Sequence, residues 1–314
     1  MSTEAPESGR AWPRLRVEDW TATRETLHLW TQIVGKIRLA HAPLVNHWWQ
    51  ATLYVSPRGL TTGSIPAAHR LFEIEFDFID HSLRIRSSDG GERAFRLEAK
   101  PVAQFHAETL QALRGLGLDT EISSGPNEVD PAIPFAADTE HASYDPDAAR
   151  LFWEQLVQAH RVMGEFRSHF TGKVSPVHLF WGSLDLACTR FSGREAPEHP
   201  GGAPNCGDWV MVEGYSHELS SCGFWPGGGD EGAFYAYAYP EPEGFANHPV
   251  RPDAAYYSPE NGQFLLPYEA VRTAEDPDQT LLDFLHTTYI AAADRGNWDR
   301  VRLESDPSRW NHLR

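Results

Sequence analysis

The chain has 314 residues, 41% of them hydrophobic and 12% aromatic, enough for one large or two ordinary domains with a buried core. Its 27 Lys and Arg stand against 44 Asp and Glu, a formal charge of -17, and that average field repels nucleic acid and anionic membrane surfaces alike. No apolar run approaches the roughly 20 residues that span a bilayer, and Cys188, Cys206 and Cys222 do not make a disulfide framework. The expected partners therefore include neither nucleic acid nor membrane, and the expected compartment is the cytoplasm.

Residues 1–18 read as a disordered tail, polar at the start and without the apolar segment of a signal peptide. Apolar residues at Leu27, Trp30, Val34 and Ile37 then predict a helix from about Thr23 to Leu39, stopped by Pro43. The run Trp48 to Val55 predicts a strand with Ala51, Leu53 and Val55 on its apolar face. In Phe72 to Phe78 apolar and acidic residues alternate, and Leu83 to Arg86 alternates after a turn at Asp80-His81. Paired as a hairpin, Asp77 comes near Arg84 and Glu75 near Arg86, contacts worth roughly 0.2–1 kcal/mol each. Phe95 to Glu98 adds a further strand, and a second helix runs from Val102 to Leu116.

The stretch 118–147 is acidic, Pro- and Ser-rich and aperiodic, and reads as a linker or surface excursion. Asp145-Pro146-Asp147 supplies cap and first-turn chemistry for a helix carrying Phe152, Leu156, Ala159, Met163, Phe166 and Phe170 on one face. Strands are expected at Val177 to Phe191, Glu218 to Phe224, Ala233 to Tyr239 and Gln263 to Tyr268. A last helix, from about Gln279 to Arg295, follows a second Asp-Pro-Asp at Asp276. The fold class is α+β: two related helix, antiparallel-sheet, helix halves at 19–117 and 148–300, with a C-terminal tail at 301–314. Pro43 precedes Trp48 by five positions and Pro176 precedes Trp181 by five, a faint echo that suggests an internal duplication.

Several stretches are more distinctive than composition explains. They are Asn46-His47-Trp48-Trp49, Ser56-Pro57-Arg58-Gly59-Leu60, the strand pair Phe72 to Arg86, Phe180-Trp181-Gly182-Ser183 and Arg190-Phe191-Ser192-Gly193-Arg194. To these belong Glu198-His199-Pro200-Gly201-Gly202, Ser216-His217-Glu218 and Cys222-Gly223-Phe224-Trp225-Pro226. Together, from about Trp20 to Trp298, they resemble a bacterial family known only as domain of unknown function 5996. The resemblance implies no activity, cofactor or catalytic residue.

Candidate chemistry comes from side chains alone. Glu73 and Glu75, with Asp77, put carboxylates on one strand face, either as acid–base or cation-binding groups or as a solvated face balanced by Arg84, Arg86, Arg96 and Lys100. Trp48, Gln50, Thr52 and Tyr54 would share that face as ligand-binding groups. Asp185, in an apolar strand beside the ligand-binding candidates Trp181 and Ser183, would have a raised pKa as an acid or base, or would hold a loop by hydrogen bonds. His217 and Glu218 complete the candidate catalytic set. Ser216-His217-Glu218 is not a zincin motif, because position 221 is Ser, and His199, Cys206, His217 and Cys222 match no familiar zinc spacing. Trp225-Pro226-Gly227-Gly228-Gly229 lacks the Lys and helix of a phosphate loop and reads as a turn or lid. Tyr235, Tyr237 and Tyr239 alternate with alanines, as an ordinary closely packed sheet does, although such a face can also line a pocket.

The expected function is binding of a small polar molecule at the polar sheet faces or the seam between halves, with acid–base catalysis if the pocket is an enzyme's. The alternatives are a non-catalytic sensor and an acidic interaction scaffold. Sequence names no metal, cofactor, ligand or oligomeric state.

Overall fold

Leu27, Trp30, Val34 and Ile37 are all fully buried on one helix, α1 (Val17–His41), in a computed structural model that describes residues 11–306 and 308. The helix ends where Ala42 donates to the Arg38 carbonyl and Pro43 denies it another turn. After a 3₁₀ turn at Asn46–Trp48 come strands β1 (Tyr54–Ser56), β2 (Gly59–Thr61), β3 (Ile65–Ala67), β4 (Arg70–Asp77), β5 (Ser82–Ser87) and β6 (Glu92–Arg96). They form an antiparallel sheet in the order β1-β2-β4-β5-β6, with β3 also paired to β4. Helix α2 (Val102–Arg114) covers its apolar face, where Trp30, Phe105 and Phe76 stack in series at centroid spacings of 4.5 and 6.1 Å.

The charge pairs expected across β4 and β5 form, but on the diagonal. The backbone register sets Glu75 opposite Arg84 and Glu73 opposite Arg86, whereas Arg84 Nε reaches Asp77 at 3.3 Å and Arg86 reaches Glu75 at 3.2 Å. Long arginine side chains span the two-residue offset that the short turn imposes.

The second half begins with α3 (Pro146–Ser168), whose cap residue Asp145 accepts from the amides of Asp147 and Ala148. Strands β7 (His178–Phe180) and β8 (Asp185–Glu195), helix α4 (Asp208–Gly214), and strands β9 (His217–Trp225) and β10 (Ala233–Tyr239) follow. Strands β11 (Tyr256–Ser258) and β12 (Gln263–Pro267) complete a six-stranded antiparallel sheet in the order β11-β12-β10-β9-β8-β7. Helices α5 (Tyr268–Arg272), α6 (Pro277–Arg295, capped by Asp276) and α7 (Arg300–Leu303) close the chain. The architecture is thus α+β, with two antiparallel sheets of six strands each. Two sheet-bearing halves are consistent with a duplication, although the Trp48 and Trp181 echo falls on different elements, a 3₁₀ turn before the first sheet and a turn inside the second.

Three sequence expectations need correction. Trp48 to Val55 is not one strand, because His47 and Trp48 adopt left-handed φ of 57° and 60° and pairing starts only at Tyr54. Val177 to Phe191 is not one strand either. It is a hairpin whose turn, residues 181–184, contains Leu184 at φ 57°. The disordered tail expected over 1–18 is correct for none of its described part: Trp12 and Leu15 are buried, with the Trp12 ring against Phe234 and Tyr268. Residues 1–10 of that expectation lie outside the described residues, as do 307 and 309–314 of the expected C-terminal tail. The acidic stretch at 118–147 has little regular structure but buries Leu118, Phe135 and Asp138.

The sheets meet where Leu53 and Leu179 exchange both backbone hydrogen bonds, at 2.9 and 2.8 Å. Beside them Trp181 wedges into α1. Its indole donates to the Ala51 carbonyl at 2.7 Å, and its ring lies where a β-carbon on Gly35 would stand, 2.2 Å away. Among the described residues no helix is long and apolar enough to cross a membrane. In an open helix Gly→Ala gains about 1 kcal/mol. At this contact the indole is pinned and overpacking costs roughly 1–3 kcal/mol. Gly35→Ala is therefore expected to lower stability, and urea unfolding reads the sign.

Candidate functional site

Alternation along three neighbouring strands puts Asp185, Ala187, Thr189 and Phe191 of β8, Leu219, Ser221 and Gly223 of β9, and Tyr235 and Tyr237 of β10 on one sheet face. Thr189, Ser221 and Tyr237 form one cross-strand row, and Ala187, Gly223 and Tyr235 the next. The opposite face carries Cys188, Cys222, Phe224 and Phe234 into the core. Gly223 makes room for Tyr235 on this face: a β-carbon there would come within 2.4 Å of the Tyr235 hydroxyl. In that gap Tyr235 lies over β9 and donates its hydroxyl to Asp185 Oδ2, while Ser183 donates to Oδ1. Burial pushes the Asp185 carboxyl above its ordinary pKa, with these two hydrogen bonds opposing the shift, and burial likewise raises Tyr235.

Above this floor is a hollow of about 180 Å³, on the order of the space that holds a benzene-sized molecule. Helix α4 roofs it with Val210, Met211 and Gly214, followed by Tyr215, whose hydroxyl is 2.9 Å from that of Tyr237. The first half ties the roof down. Trp48 Nε1 donates to the Val210 carbonyl at 2.9 Å, and the His47 amide donates to Glu213 at 3.0 Å. His47 Nδ1 lies 3.1 Å from the Gly214 carbonyl and so carries the proton, leaving Nε2 to accept from Lys173 at 2.6 Å. Burial, and Lys173 second, hold that imidazole below its usual pKa. A second hollow of about 270 Å³, bordered by Trp225, shares Ser183, Asp185, Tyr235 and Tyr237 with the first.

Glu128, from the acidic stretch, supplies the remaining wall. The residue as a whole is exposed, yet its carboxyl end folds over Gly182, where a β-carbon would stand 2.1 Å from Oε1. Burial of that carboxyl, and the neighbouring Asp185 second, push its pKa up to about 7. Among the described residues that line either hollow there is no Lys or Arg.

Of the sequence candidates, this arrangement brings together Asp185, Ser183 and Trp48. His217 stands outside the lining, with its ring 5.8 Å from that of His47. Glu218 faces away and is held by Arg194 and Ser192 at 2.6 and 2.8 Å. Trp181 is turned into the seam. Gln50 accepts from the Val45 amide, Thr52 contacts His178 at 3.1 Å, and Tyr54 lies under the Arg38 guanidinium. Glu73 accepts from Thr61 at 2.5 Å, and Glu75 from Ser56 and Arg86, so both serve the first sheet. Asp77 is buried too; Arg58 and the amides of Asp80 and Ile79 outweigh its burial and hold its carboxyl below the usual range. Among the described residues no group of three or more His, Cys, Asp or Glu is placed to hold a metal ion.

Sequence reasoning missed Glu128, His47, Thr189, Ser221 and Tyr215. The tyrosine alternation at 235 and 237 was a usable signal; nothing local marks Glu128. Because the folded state keeps the Glu128 proton up to about pH 7 and the unfolded chain only to about 4.5, ionisation costs stability as pH rises through that interval. Glu128→Gln removes this slope. Its melting temperature relative to the native chain should rise between about pH 5 and about pH 8, measured by thermal denaturation at both.

No curated protein and no solved structure matches this chain. The family of unknown function DUF5996 matches residues 12–305, and the chain belongs to it.

Proposed function

We propose that this chain binds a small polar organic molecule in the hollow over β8, β9 and β10, with Glu128 and Asp185 as its acid–base groups. The observation that carries this is the convergence of two carboxyls with raised pKa on one partly enclosed, aromatic-walled space. Glu128, half-protonated near neutrality, is suited to take a proton from a bound group and return it. Asp185, fixed by Ser183 and Tyr235, orients rather than roams. A non-catalytic sensor is the second reading, favoured by α4: this seven-residue roof has no buried residue and is tied at His47 and Trp48.

The charge of -17 supports partners other than nucleic acid. Cys188 and Cys222, free thiols directly opposite one another on β8 and β9, support a reducing compartment such as the cytoplasm. The repeated helix, sheet, helix order supports an internal duplication, with 19–117 and 148–300 as its halves.

A thermal-shift screen against metabolites tests the pocket. Ligand at about 100 times its dissociation constant adds roughly 2.7 kcal/mol of stability. Val210→Trp adds bulk to the hollow from its roof while leaving the sheet residues and both carboxyls unsubstituted, and is expected to abolish the shifts. Hits that survive it would place binding elsewhere and sink the proposal. With a hit in hand, Asp185→Asn separates the two readings: turnover lost with affinity kept indicates an enzyme, affinity lost indicates a sensor.

A further inference from the structure

The charge of the walls suggests what the hollow accepts. Seven aromatic side chains, Trp48, Trp49, Phe180, Phe191, Tyr215, Tyr235 and Tyr237, line it together with Asp185 and Glu128. Asp185 is already engaged on both oxygens by Tyr235 and Ser183, so Glu128 is the group positioned to meet a ligand's charge. Two nearby lysines are committed elsewhere. Lys36 is bonded to Ser123 at 2.7 Å and to Asn127, and Lys173 is bonded to His47. Lys173 also lies 5.0 Å from the Phe191 ring centre and 5.7 Å from that of Trp49, so the shell already receives one ammonium group at its His47 end. The carboxyl end, with Tyr215 and Tyr237, has no such lining partner among the described residues.

Resting on the pocket proposed above, we infer that its ligand is an organic ammonium ion whose charged head sits against Tyr215 and Tyr237 and pairs with Glu128. Two physical terms favour it. Aromatic faces attract a cation most strongly where water is displaced, and a crowded carboxylate beside a second acid gains most from an opposite charge. The overall charge of -17 adds a long-range attraction of the same sign. An anion meets the reverse of each term. A neutral molecule gains the apolar contact alone. The volume of about 180 Å³ limits the part held in the hollow to a small head.

Isothermal titration with four compounds of one shape tests this. The cations are choline and tert-butylethylamine; the controls are the uncharged isostere of choline, in which carbon replaces nitrogen, and the tert-butylacetate anion. Both cations are expected to bind at least roughly tenfold more tightly than the isostere, with the anion weakest. Glu128→Gln is expected to reduce that preference severalfold, to what the aromatic faces alone supply, while leaving isostere binding in place, which shows that the hollow is intact in the variant. Isostere or anion binding as tight as that of the cations would overturn the ammonium inference and leave the pocket standing. Absence of binding by all four would also overturn it; the pocket would then stand or fall on whether screen hits are lost in Val210→Trp.

Discussion

Asp185 must keep a carboxyl group satisfied beneath aromatic side chains, and that requirement organises the second sheet. An unpaired polar group in such a place costs several kcal/mol. The Ser183 and Tyr235 hydroxyls remove that cost. Each demands something of the chain. Ser183 reaches Asp185 only because the β7–β8 turn is tight, with Leu184 in the left-handed region. Tyr235 reaches it only because β9 carries no side chain at Gly223. Tyr235 fills that gap, and the hollow roofed by α4 takes both Asp185 and Tyr235 into its lining, so the space for a ligand is bounded by the groups that hold the carboxyl.

The site also depends on the other half of the chain. Its floor belongs to the second sheet, but His47 and Trp48 belong to the turn that leads into the first, and Glu128 to the stretch between the halves. The seam that brings them together includes the backbone bridge at Leu53 and Leu179 and the Trp181 indole, packed against Gly35 and donating to Ala51. Around these, Thr52 contacts His178, Trp153 donates to the Ser56 carbonyl, and His28 donates to the Trp181 and Gly182 carbonyls. Packing of this kind is intolerant of volume change. A shift of the seam would move the His47–Trp48 tether and, with it, the roof.

The sequence made the periodic elements legible, for physical reasons. Stripes at helical spacing and alternation in Phe72 to Phe78 or Ala233 to Tyr239 are direct consequences of one-sided burial, and the Asp-Pro-Asp caps are local chemistry. What was not legible depends on contacts far apart in the chain. His47 and Trp48 have no glycine to announce their positive φ, and their conformation is sustained by α4, more than 150 residues away. The turn at 181–184 is hidden in an apolar run because Trp181 is itself buried by another element. Asp185 was found, since an acid amid apolar residues is anomalous in any strand. Glu128 was not, since an acid in an acidic loop is not.

The comparison between the two sheets shows why carboxylate density was a poor guide. The first sheet has the denser acidic row, yet Arg58, Arg84 and Arg86 answer Asp77, Glu75 and Glu73 within it, and Asp77 is held ionised by its arginine and two backbone amides. A row balanced in this way fixes register and leaves nothing over for a ligand. The second sheet has fewer acids and no arginine among the described residues lining its hollow. There no cation among those residues answers the carboxyls, the cost of ionisation shows as raised pKa values, and a bound cation can relieve it. Unanswered charge next to a cavity, not the number of charges along a strand, is therefore the physical mark that separates the candidate site from the scaffold.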